Sequence, residues 1–246
     1  MKKNFILSID QGTTSSRSIL FNLKGKLIYS SQKEFTQYFP KSGWVEHDPE
    51  EIWNTTKKTL KDAINKAKSL KSNILAIGIT NQRETTVLWN KKTGKPIYKA
   101  IVWQDRRTTN YCNQLKLKKK DKIIQKITGL VLDPYFSATK INWILNQTSQ
   151  KNKDQIKNIL FGTIDTWLLW KLTEGRSHFT DITNASRTMI FDAKKEQWSE
   201  ELLQLFKIYK NLLPQVKENS YNFGSTKLFG GEIKIGGMAG DQQAAT

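Results

Sequence analysis

The amino-acid sequence predicts an α/β fold in which an antiparallel meander comes first and helices alternate with strands afterwards. Three observations support this prediction. Two alternating apolar stretches flank a short polar turn near the N-terminus, a capped helix pattern begins at Asp48, and a nearly continuous apolar stretch at Asn73 to Thr80 is typical of a buried parallel strand. With 246 residues, 37% of them hydrophobic, the chain can bury a substantial core as one large domain or two small ones.

The meander is predicted from three strand patterns joined by short turns. They cover Phe5 to Ile9, Ser18 to Asn22 and Lys26 to Phe35. The first turn, Gln11 to Ser15, gives the hairpin a tip with one glycine and several hydroxyl groups. Gly12 allows a ligand to approach the backbone closely, and the turn N–H groups and hydroxyls suit phosphate oxygens. An ordinary hairpin with a polar tip is the alternative interpretation of this stretch.

Asp10 ends the first strand, where its carboxylate could hold a magnesium ion through water, because hard cations prefer oxygen ligands. A Walker-type loop is excluded here. Such a loop leads from a strand into a helix and ends in Gly-Lys-Ser/Thr, whereas this turn leads into a second strand and has no such ending.

The remaining elements are predicted in chain order. Asp48-Pro49-Glu50-Glu51 has the pattern of a helix start, which explains Asp48 as an N-cap, and the helix continues to about Lys68. Thr85 to Trp89 and Pro96 to Trp103 are predicted to pair as a hairpin. Further helices are predicted at Arg106–Leu117, Lys119–Ile127, Ser137–Leu145, Thr166–Leu172 and Ser199–Phe206, and further strands at Ile159–Phe161 and Ile233–Ile235. A meander followed by alternating helices and strands is typical of a ribonuclease-H-like domain.

The net charge of +18 comes from 34 Lys and only 6 Arg, scattered along the chain. Proteins that recognise nucleic acids favour Arg over Lys, so we attribute the positive charge to codon bias and expect no nucleic-acid partner. Cys112 is the only cysteine and His47 and His178 are the only histidines, which argues against disulfides and a zinc site. The apolar stretch before Asp10 is too short for a signal peptide or a membrane span, so we expect a cytoplasmic protein without a membrane partner.

The N-terminal hairpin resembles the first phosphate-binding motif of the actin-like ATPases and, among them, of the FGGY family of sugar and polyol kinases. Seven further segments resemble the glycerol kinases of this family and follow in the family's order. They are GWVEHDPEEIW at Gly43, GITNQRETT at Gly78, AIVWQDRR at Ala100, DPYFSATKINWIL at Asp133, FGTIDTWLLWKLTEG at Phe161, TDITNASRTMIFD at Thr180 and GMAGDQQAA at Gly237. The resemblance implies a ribonuclease-H-like actin/hexokinase-type ATPase domain, the first of the two lobes of the FGGY kinase fold.

The same resemblance implies a function and its cofactors: ATP-dependent phosphorylation of glycerol to sn-glycerol 3-phosphate, with ATP and Mg²⁺. Phosphoryl transfer needs positioning, charge neutralisation and a base for the incoming hydroxyl. In the hairpin, 5–22, the resemblance implies that Asp10 organises Mg²⁺ through water and that Arg17 neutralises nucleotide charge. It implies phosphate contacts for Thr13, Thr14 and Ser15.

The general base is expected at Asp241, which follows a strand and a glycine-rich turn and lies within the segment 236–245. At that position a carboxylate could accept the proton of an attacking hydroxyl or could simply cap a helix, and the spacing alone does not choose between them. The resemblance of Gly240-Asp241-Gln242 to the family's catalytic segment implies the base. It also implies that Asp241 and Gln242 contact the polyol.

The polyol site is expected within 78–135, beginning just past the end of the buried strand, where α/β sheets place their ligands. Arg83 and Glu84 offer donors and an acceptor that could clamp two hydroxyls, although an Arg-Glu pair on the surface is the commoner arrangement. The resemblance favours the clamp. It also implies that Trp103 packs on the glycerol carbons and that Tyr135 contributes a hydroxyl contact.

The chain ends at Thr246, five residues after Asp241, whereas family members continue into a second lobe with the adenine pocket. We therefore expect a truncated chain, 1–246, that represents the N-terminal lobe alone. Its expected partners are glycerol and ATP or ADP. The family forms homo-oligomers, an assembly that the shorter chain is not expected to retain. The alternative function is a non-catalytic remnant that binds polyol weakly at most.

Overall fold

The computed structural model describes residues 3–148 and 156–246, which form a mixed α/β structure. Its strands are β1 (Asn4–Gln11), β2 (Ser15–Asn22), β3 (Leu27–Glu34), β4 (Glu46–His47), β5 (Asn73–Asn81), β6 (Val87–Asn90), β7 (Ala100–Ile101), β8 (Ile159–Gly162), β9 (Phe179–Asp181), β10 (Phe191–Asp192), β11 (Gln197–Trp198), β12 (Gln215–Lys217), β13 (Ser220–Thr226) and β14 (Ile233–Gly240). Its α-helices are α1 (Pro49–Ser69), α2 (Thr109–Leu117), α3 (Asp121–Thr128), α4 (Ser137–Thr148), α5 (Ile164–Leu172), α6 (Ile182–Ala185), α7 (Glu200–Phe206) and α8 (Asp241–Ala244), and Lys210–Leu212 form a 3₁₀ helix.

The largest sheet has six strands in the order β13-β14-β5-β1-β2-β3. Strands β1, β2 and β3 are antiparallel neighbours, as the predicted meander requires, whereas β1, β5 and β14 run parallel. In the parallel part, Asn81 is in register with both Gln11 and Gly240. The carboxyl ends of three strands therefore meet at one edge of the sheet, and the predicted buried strand is its centre.

Helix α1 packs across the sheet and begins where its capping pattern predicts. Asp48 accepts the backbone N–H of Glu50 at 2.8 Å. Small hydroxyl side chains bring the helix close to β2: the oxygens of Ser16 and Thr55 are 2.9 Å apart, and those of Ser18 and Thr59 are 2.8 Å apart. Both pairs are buried, and the two hydroxyls of each pair are hydrogen-bonded to each other. Burying these polar groups between β2 and α1 therefore leaves no hydrogen bond unmade.

The described residues form two hydrophobic cores, which meet at strand β6. The sheet core lies between the large sheet, α1 and α5, with Leu7, Ile77, Ile52 and Trp167 among its members. The helical core unites α2, α3, α4 and α7 with β6 and β8, and includes Leu115, Ile124, Ile141 and Phe206. Strand β6 joins them because successive side chains point to opposite faces: Trp89 belongs to the sheet core and Leu88 to the helical core.

The predicted hairpin between Thr85–Trp89 and Pro96–Trp103 forms as isolated antiparallel bridges and not as a continuous ladder. Strand β6 forms its ladder with β8 instead, with Leu88 opposite Phe161, and β7 pairs with β4. The bridges are Trp89–Pro96 and Thr86–Ile101, and the N–H of Ile97 donates to the carbonyl of Leu88 at 2.9 Å. Pro96 has no N–H to donate, which interrupts the hydrogen bonding between these two segments.

The other predicted elements are present with shifted ends. Helix α2 begins three residues later than predicted, because Arg106 and Arg107 lie in turns beside Asp105, whose carboxylate accepts the Arg107 N–H at 2.9 Å. Helix α5 begins two residues earlier, and β14 continues beyond Ile235 to Gly240. Strand β13 at the sheet edge and helix α6 were not expected. In the described ranges, 3–148 and 156–246, no helix is long and apolar enough to cross a membrane.

Gly162, at the end of β8, packs closely against α5 and Trp89. A Cβ at this position would lie 2.5 Å from Cβ of Thr166 and 3.0 Å from the ring of Trp89. We expect Gly162→Ala to lower the free energy of unfolding by about 1–3 kcal/mol, because overpacking forces these neighbours apart. Urea denaturation of the chain measures this change.

Gly78→Ala in β5 is the matched control, because a Cβ there meets no atom within 4 Å. The control should be neutral or slightly stabilising. An unfolding free energy that Gly162→Ala leaves unchanged would contradict the tight packing of β8 on α5.

Candidate functional site

The predicted site residues lie at the sheet edge where β1, β5 and β14 end. The hairpin tip follows β1, Gln82 to Glu84 follow β5, and Asp241 follows β14. The backbone N–H of Gln82 donates to the carbonyl of Gln11 at 2.7 Å, and its side-chain Nε2 donates to the carbonyl of Gly12 at 3.1 Å. The segment after β5 and the hairpin tip are thus hydrogen-bonded to each other.

The hairpin tip is a tight, ordered turn. The N–H of Gly12 donates to the carbonyl of Ser15 at 2.9 Å, and the indole N–H of Trp103 donates to Oγ1 of Thr13 at 3.1 Å. Thr14 is exposed at the tip. Asp10 and Arg17 face each other across the two strands, with 3.9 Å between Oδ2 and Nη1. The tip therefore presents hydroxyls, a cation and a carboxylate side by side.

Arg83 pairs with Asp241, the predicted base. Nε of Arg83 lies 3.1 Å from Oδ1 of Asp241 without the alignment of a hydrogen bond, and the Arg83 side chain is only 7% exposed whereas Asp241 is 49% exposed. Gly240 makes this approach possible, because a Cβ on it would lie 2.4 Å from Cδ of Arg83. The glycine before Asp241 is required because the stem of Arg83 passes over it.

Glu84 pairs with Arg187, a residue that sequence reasoning missed. Nε of Arg187 donates to Oε1 of Glu84 at 2.7 Å. Burial raises the pKa of the Glu84 carboxyl, and the charge of Arg187 opposes this rise. Arg187 lies inside the TDITNASRTMIFD segment, so its position in a matched block was the only sequence signal available. Arg83 and Glu84 thus form two ion pairs with separate partners.

The backbone of Glu84 adopts a left-handed conformation, with φ of 59°. Three donors converge on its carbonyl oxygen: Oγ of Ser137 at 3.1 Å, Oγ1 of Thr86 at 3.2 Å and Nζ of Lys140 at 3.4 Å. Such a conformation costs about 1–3 kcal/mol in a non-glycine residue and persists where surrounding contacts enforce it. The start of α4 therefore holds Glu84 in position.

Aromatic residues form one wall beside these charges. The rings of Trp103 and Tyr135 are 5.5 Å apart, both half-buried, and the guanidinium of Arg187 lies 5.8 Å from the Tyr135 ring. Burial raises the pKa of the Tyr135 hydroxyl. Gln242 is exposed and its backbone N–H donates to Oδ1 of Asp241 at 2.8 Å. The site thus combines an apolar wall with paired charges, as suits a small polyol.

No cluster of three or more His, Cys, Asp or Glu suited to a metal ion occurs among residues 3–148 and 156–246. Asp10 is a single half-exposed carboxylate next to the hydroxyls of the hairpin tip. One carboxylate with water and phosphate oxygens is a donor set that fits Mg²⁺, which keeps several waters in its coordination shell.

The sequence profile of the "FGGY family of carbohydrate kinases, N-terminal domain" matches residues 5–246. A glycerol kinase of Clostridium botulinum is 55% identical over 246 residues, which are 99% of this chain and 49% of that protein. A glycerol kinase of Lactococcus lactis is 54% identical, over 98% of this chain and 49% of its own length. This chain thus spans about half the length of the curated relatives it matches.

Among solved structures, the crystal structure of Plasmodium falciparum glycerol kinase with ADP superimposes with a TM-score of 0.94 at 40% sequence identity. The match covers 99% of this chain and 50% of that one. This similarity confirms the predicted fold class.

Lys140, which donates to the carbonyl of Glu84, should make the stability of the fold depend on pH. Its side chain is fully buried, and Nζ donates to the carbonyl of Tyr135 at 2.7 Å. Burial lowers the pKa of Lys140 from 10.5 to about 7. Between these two pH values the unfolded chain binds one more proton than the folded chain, so the stability contribution of this residue rises with pH.

We therefore expect Lys140→Met to reduce the slope of unfolding free energy against pH between pH 7 and 9, by up to about 1.4 kcal/mol per pH unit, the limit for one proton. Urea denaturation at several pH values measures the slope. Lys126→Met, on the exposed side of α3, is the control that should retain it. Equal slopes for Lys140→Met and the unmodified chain would show that Lys140 does not titrate in this range.

Proposed function

Because the chain belongs to the FGGY family of carbohydrate kinases, whose N-terminal domain it matches over residues 5–246, we propose that it binds glycerol and takes part in its ATP-dependent phosphorylation to sn-glycerol 3-phosphate. The observation that carries the proposal is the meeting of three features at one sheet edge: the hydroxyl-rich hairpin tip, the Arg83–Asp241 pair and the Glu84–Arg187 pair. The choice of glycerol and of an adenine nucleotide is supported by the glycerol kinases among its relatives, one of which was crystallised with ADP.

The hairpin tip is the proposed phosphate site. Thr13, Thr14 and Ser15 contact the transferred phosphoryl group through hydroxyl and backbone donors, and Arg17 neutralises charge on the nucleotide. Asp10 would hold Mg²⁺ through water, and the bound ion would further neutralise phosphate charge. The bond from Trp103 to Thr13 ties this tip to the polyol wall.

The paired charges are the proposed polyol site. Arg83 donates to one glycerol hydroxyl and Glu84 accepts from another, while Arg187 keeps the buried Glu84 carboxylate oriented. Trp103 packs against the carbon chain, and Tyr135 and Gln242 complete the polar contacts. Because glycerol offers few atoms for apolar contact, its recognition depends on charged side chains that are already fixed in position before it binds.

Asp241 is the proposed general base. Its carboxylate accepts the proton of the attacking hydroxyl as the oxygen of that hydroxyl forms a bond to the γ-phosphorus and ADP leaves. Asp241 is half-exposed and hydrogen-bonded to the N–H of Gln242, so it is both accessible and fixed. The ion pair keeps Asp241 beside Arg83, which is the proposed hydrogen-bond donor to a glycerol hydroxyl.

A chimera tests the function and the base together. Residues 1–246 are joined to the C-terminal half of the Lactococcus lactis glycerol kinase, and glycerol 3-phosphate formation is measured alongside glycerol binding. We expect the chimera to turn over and Asp241→Asn to reduce kcat by about 10²- to 10⁴-fold with nearly unchanged glycerol affinity, because Asn keeps the shape of the side chain beside Arg83 but cannot accept the proton.

Asp62→Asn, on the surface of α1, is the matched control and should retain full activity. Activity of Asp241→Asn within a few-fold of the unmodified chimera would refute the base. Glycerol binding by the chain without any turnover by the chimera would favour a non-catalytic polyol-binding domain.

The two ion pairs are tested by glycerol titration calorimetry of chain 1–246. We expect Arg83→Ala and Glu84→Ala each to weaken glycerol binding by roughly 1.5–3 kcal/mol, since each removes a hydrogen bond to a charged group. Arg187→Ala should weaken binding as well, because Glu84 loses its partner. Arg176→Ala is the control, since its pair with Glu174 is more than half exposed and should contribute little. Unchanged affinity in all three site variants would place the polyol elsewhere.

A further inference from the structure

Asp181 is a buried carboxylate with five hydrogen-bond donors, and none of the roles above uses it. Its side chain is 0% exposed. Oδ2 accepts from the backbone N–H of Thr183 at 2.7 Å, from the Thr183 hydroxyl and from Nδ2 of Asn219 at 2.8 Å. Oδ1 accepts from the N–H of Asn184 at 3.3 Å and from its Nδ2 at 2.7 Å. Only the two backbone donors are needed to cap α6, a helix of four residues.

One branch of this network leads to the end of β14. The Thr183 hydroxyl, which donates to Asp181, accepts the backbone N–H of Gly240 at 2.8 Å. Nδ2 of Asn219 donates to the carbonyl of Met238 at 3.0 Å, and the N–H of Met238 donates to the carbonyl of Asn219 at 2.9 Å. The residues just before Asp241 are therefore held from the side opposite β5.

The other branch leads to the end of β5. Asn184 and Asn81 form a reciprocal amide pair, with Nδ2–Oδ1 distances of 3.1 Å and 3.0 Å in the two directions. Both side chains are fully buried, and Nδ2 of Asn81 also donates to the carbonyl of Gln82 at 2.9 Å. Asn81 directly precedes the segment that carries Arg83 and Glu84.

We propose that Asp181 is a positioning residue: through Thr183 and Asn184 it fixes the ends of β14 and β5, and so sets Asp241 relative to Arg83 and Glu84. The roles of those three residues rest on the proposed function, whereas the placement itself does not. Strand ends beyond the last ladder bond are free to shift, and a displacement of about 1 Å at a reacting group can cost about 10²-fold in rate. A single buried acceptor that joins both ends removes this freedom.

Amide hydrogen exchange of chain 1–246, followed by NMR, tests the placement without any activity. Thr183→Val keeps the side-chain volume but cannot accept the Gly240 N–H, whereas Thr183→Ser keeps the hydroxyl. We expect the Gly240 amide to exchange about five- to tenfold faster in Thr183→Val, the equivalent of one hydrogen bond, and at the original rate in Thr183→Ser. Thr188→Val is the matched control, because that hydroxyl donates to the carbonyl of Ala185 and does not reach β14.

Unchanged exchange of Gly240 in Thr183→Val, or equally fast exchange in Thr183→Ser, would overturn the proposal. Asp181→Asn should accelerate exchange at both Gly240 and Met238, because the side-chain NH₂ of Asn would face N–H and O–H donors that the carboxylate now accepts. If that variant does not fold, the threonine series still decides the question.

The chimera described above separates positioning from mere stability. Thr183→Val should lower kcat about 10- to 100-fold with little change in KM for glycerol, because it loosens Asp241 alone. Asn184→Ala should mainly raise KM for glycerol, because it loosens Arg83 and Glu84. Equal effects of both variants on kcat and KM would show a general structural role and overturn the proposal. An inactive chimera counts against the proposed function, and the exchange data then decide the placement.

Discussion

The parallel alignment of β1, β5 and β14 is the constraint on which the rest of the structure depends. Because parallel strands end at the same edge, three turns that are far apart in sequence meet there. Each turn carries a different chemistry: hydroxyls after β1, the Arg-Glu pair after β5 and the carboxylate after β14. A shift of one residue in the register of β5 would turn its side chains to the other face and separate Arg83 from Asp241.

The site is organised by buried polar contacts that leave few donors or acceptors unpaired. Arg83 is bound to Asp241 and Glu84 to Arg187, so each charge at the edge has a partner before any ligand arrives. Ion pairs of this kind contribute little net stability, since desolvation offsets their attraction, but their loss leaves an unpaired charge in a buried place. They therefore fix the geometry of the charged side chains at this edge more than they stabilise the fold.

The helical core supports the site from the side away from the large sheet. Ser137 and Lys140 at the start of α4 bind the carbonyl of Glu84, which links the packing of this core to the left-handed backbone at Glu84. Arg107, 1% exposed, lies with its guanidinium 3.8 Å from the ring of Trp44 and binds Asp105 and Glu46. Since Asp105 also accepts the N–H of Val45 at 2.6 Å, the turn after Trp103 is anchored at several points.

The sequence by itself determined the elements whose evidence is local. Alternation of apolar and polar residues predicted β1 and β2, the Asp48 cap predicted the start of α1, and the continuous apolar stretch predicted β5. The family and the site segments also followed from contiguous motifs, although the roles of the individual site residues stay predictions.

The tertiary structure alone decided which partners these elements take. It paired β6 with β8, Arg83 with Asp241 and Glu84 with Arg187, and it joined both strand ends to Asp181. The reason is physical. A local pattern shows which face of an element is apolar or which residue caps a helix. The contact between Glu84 and Arg187, which are 103 positions apart, depends instead on how the strands and helices are arranged in space.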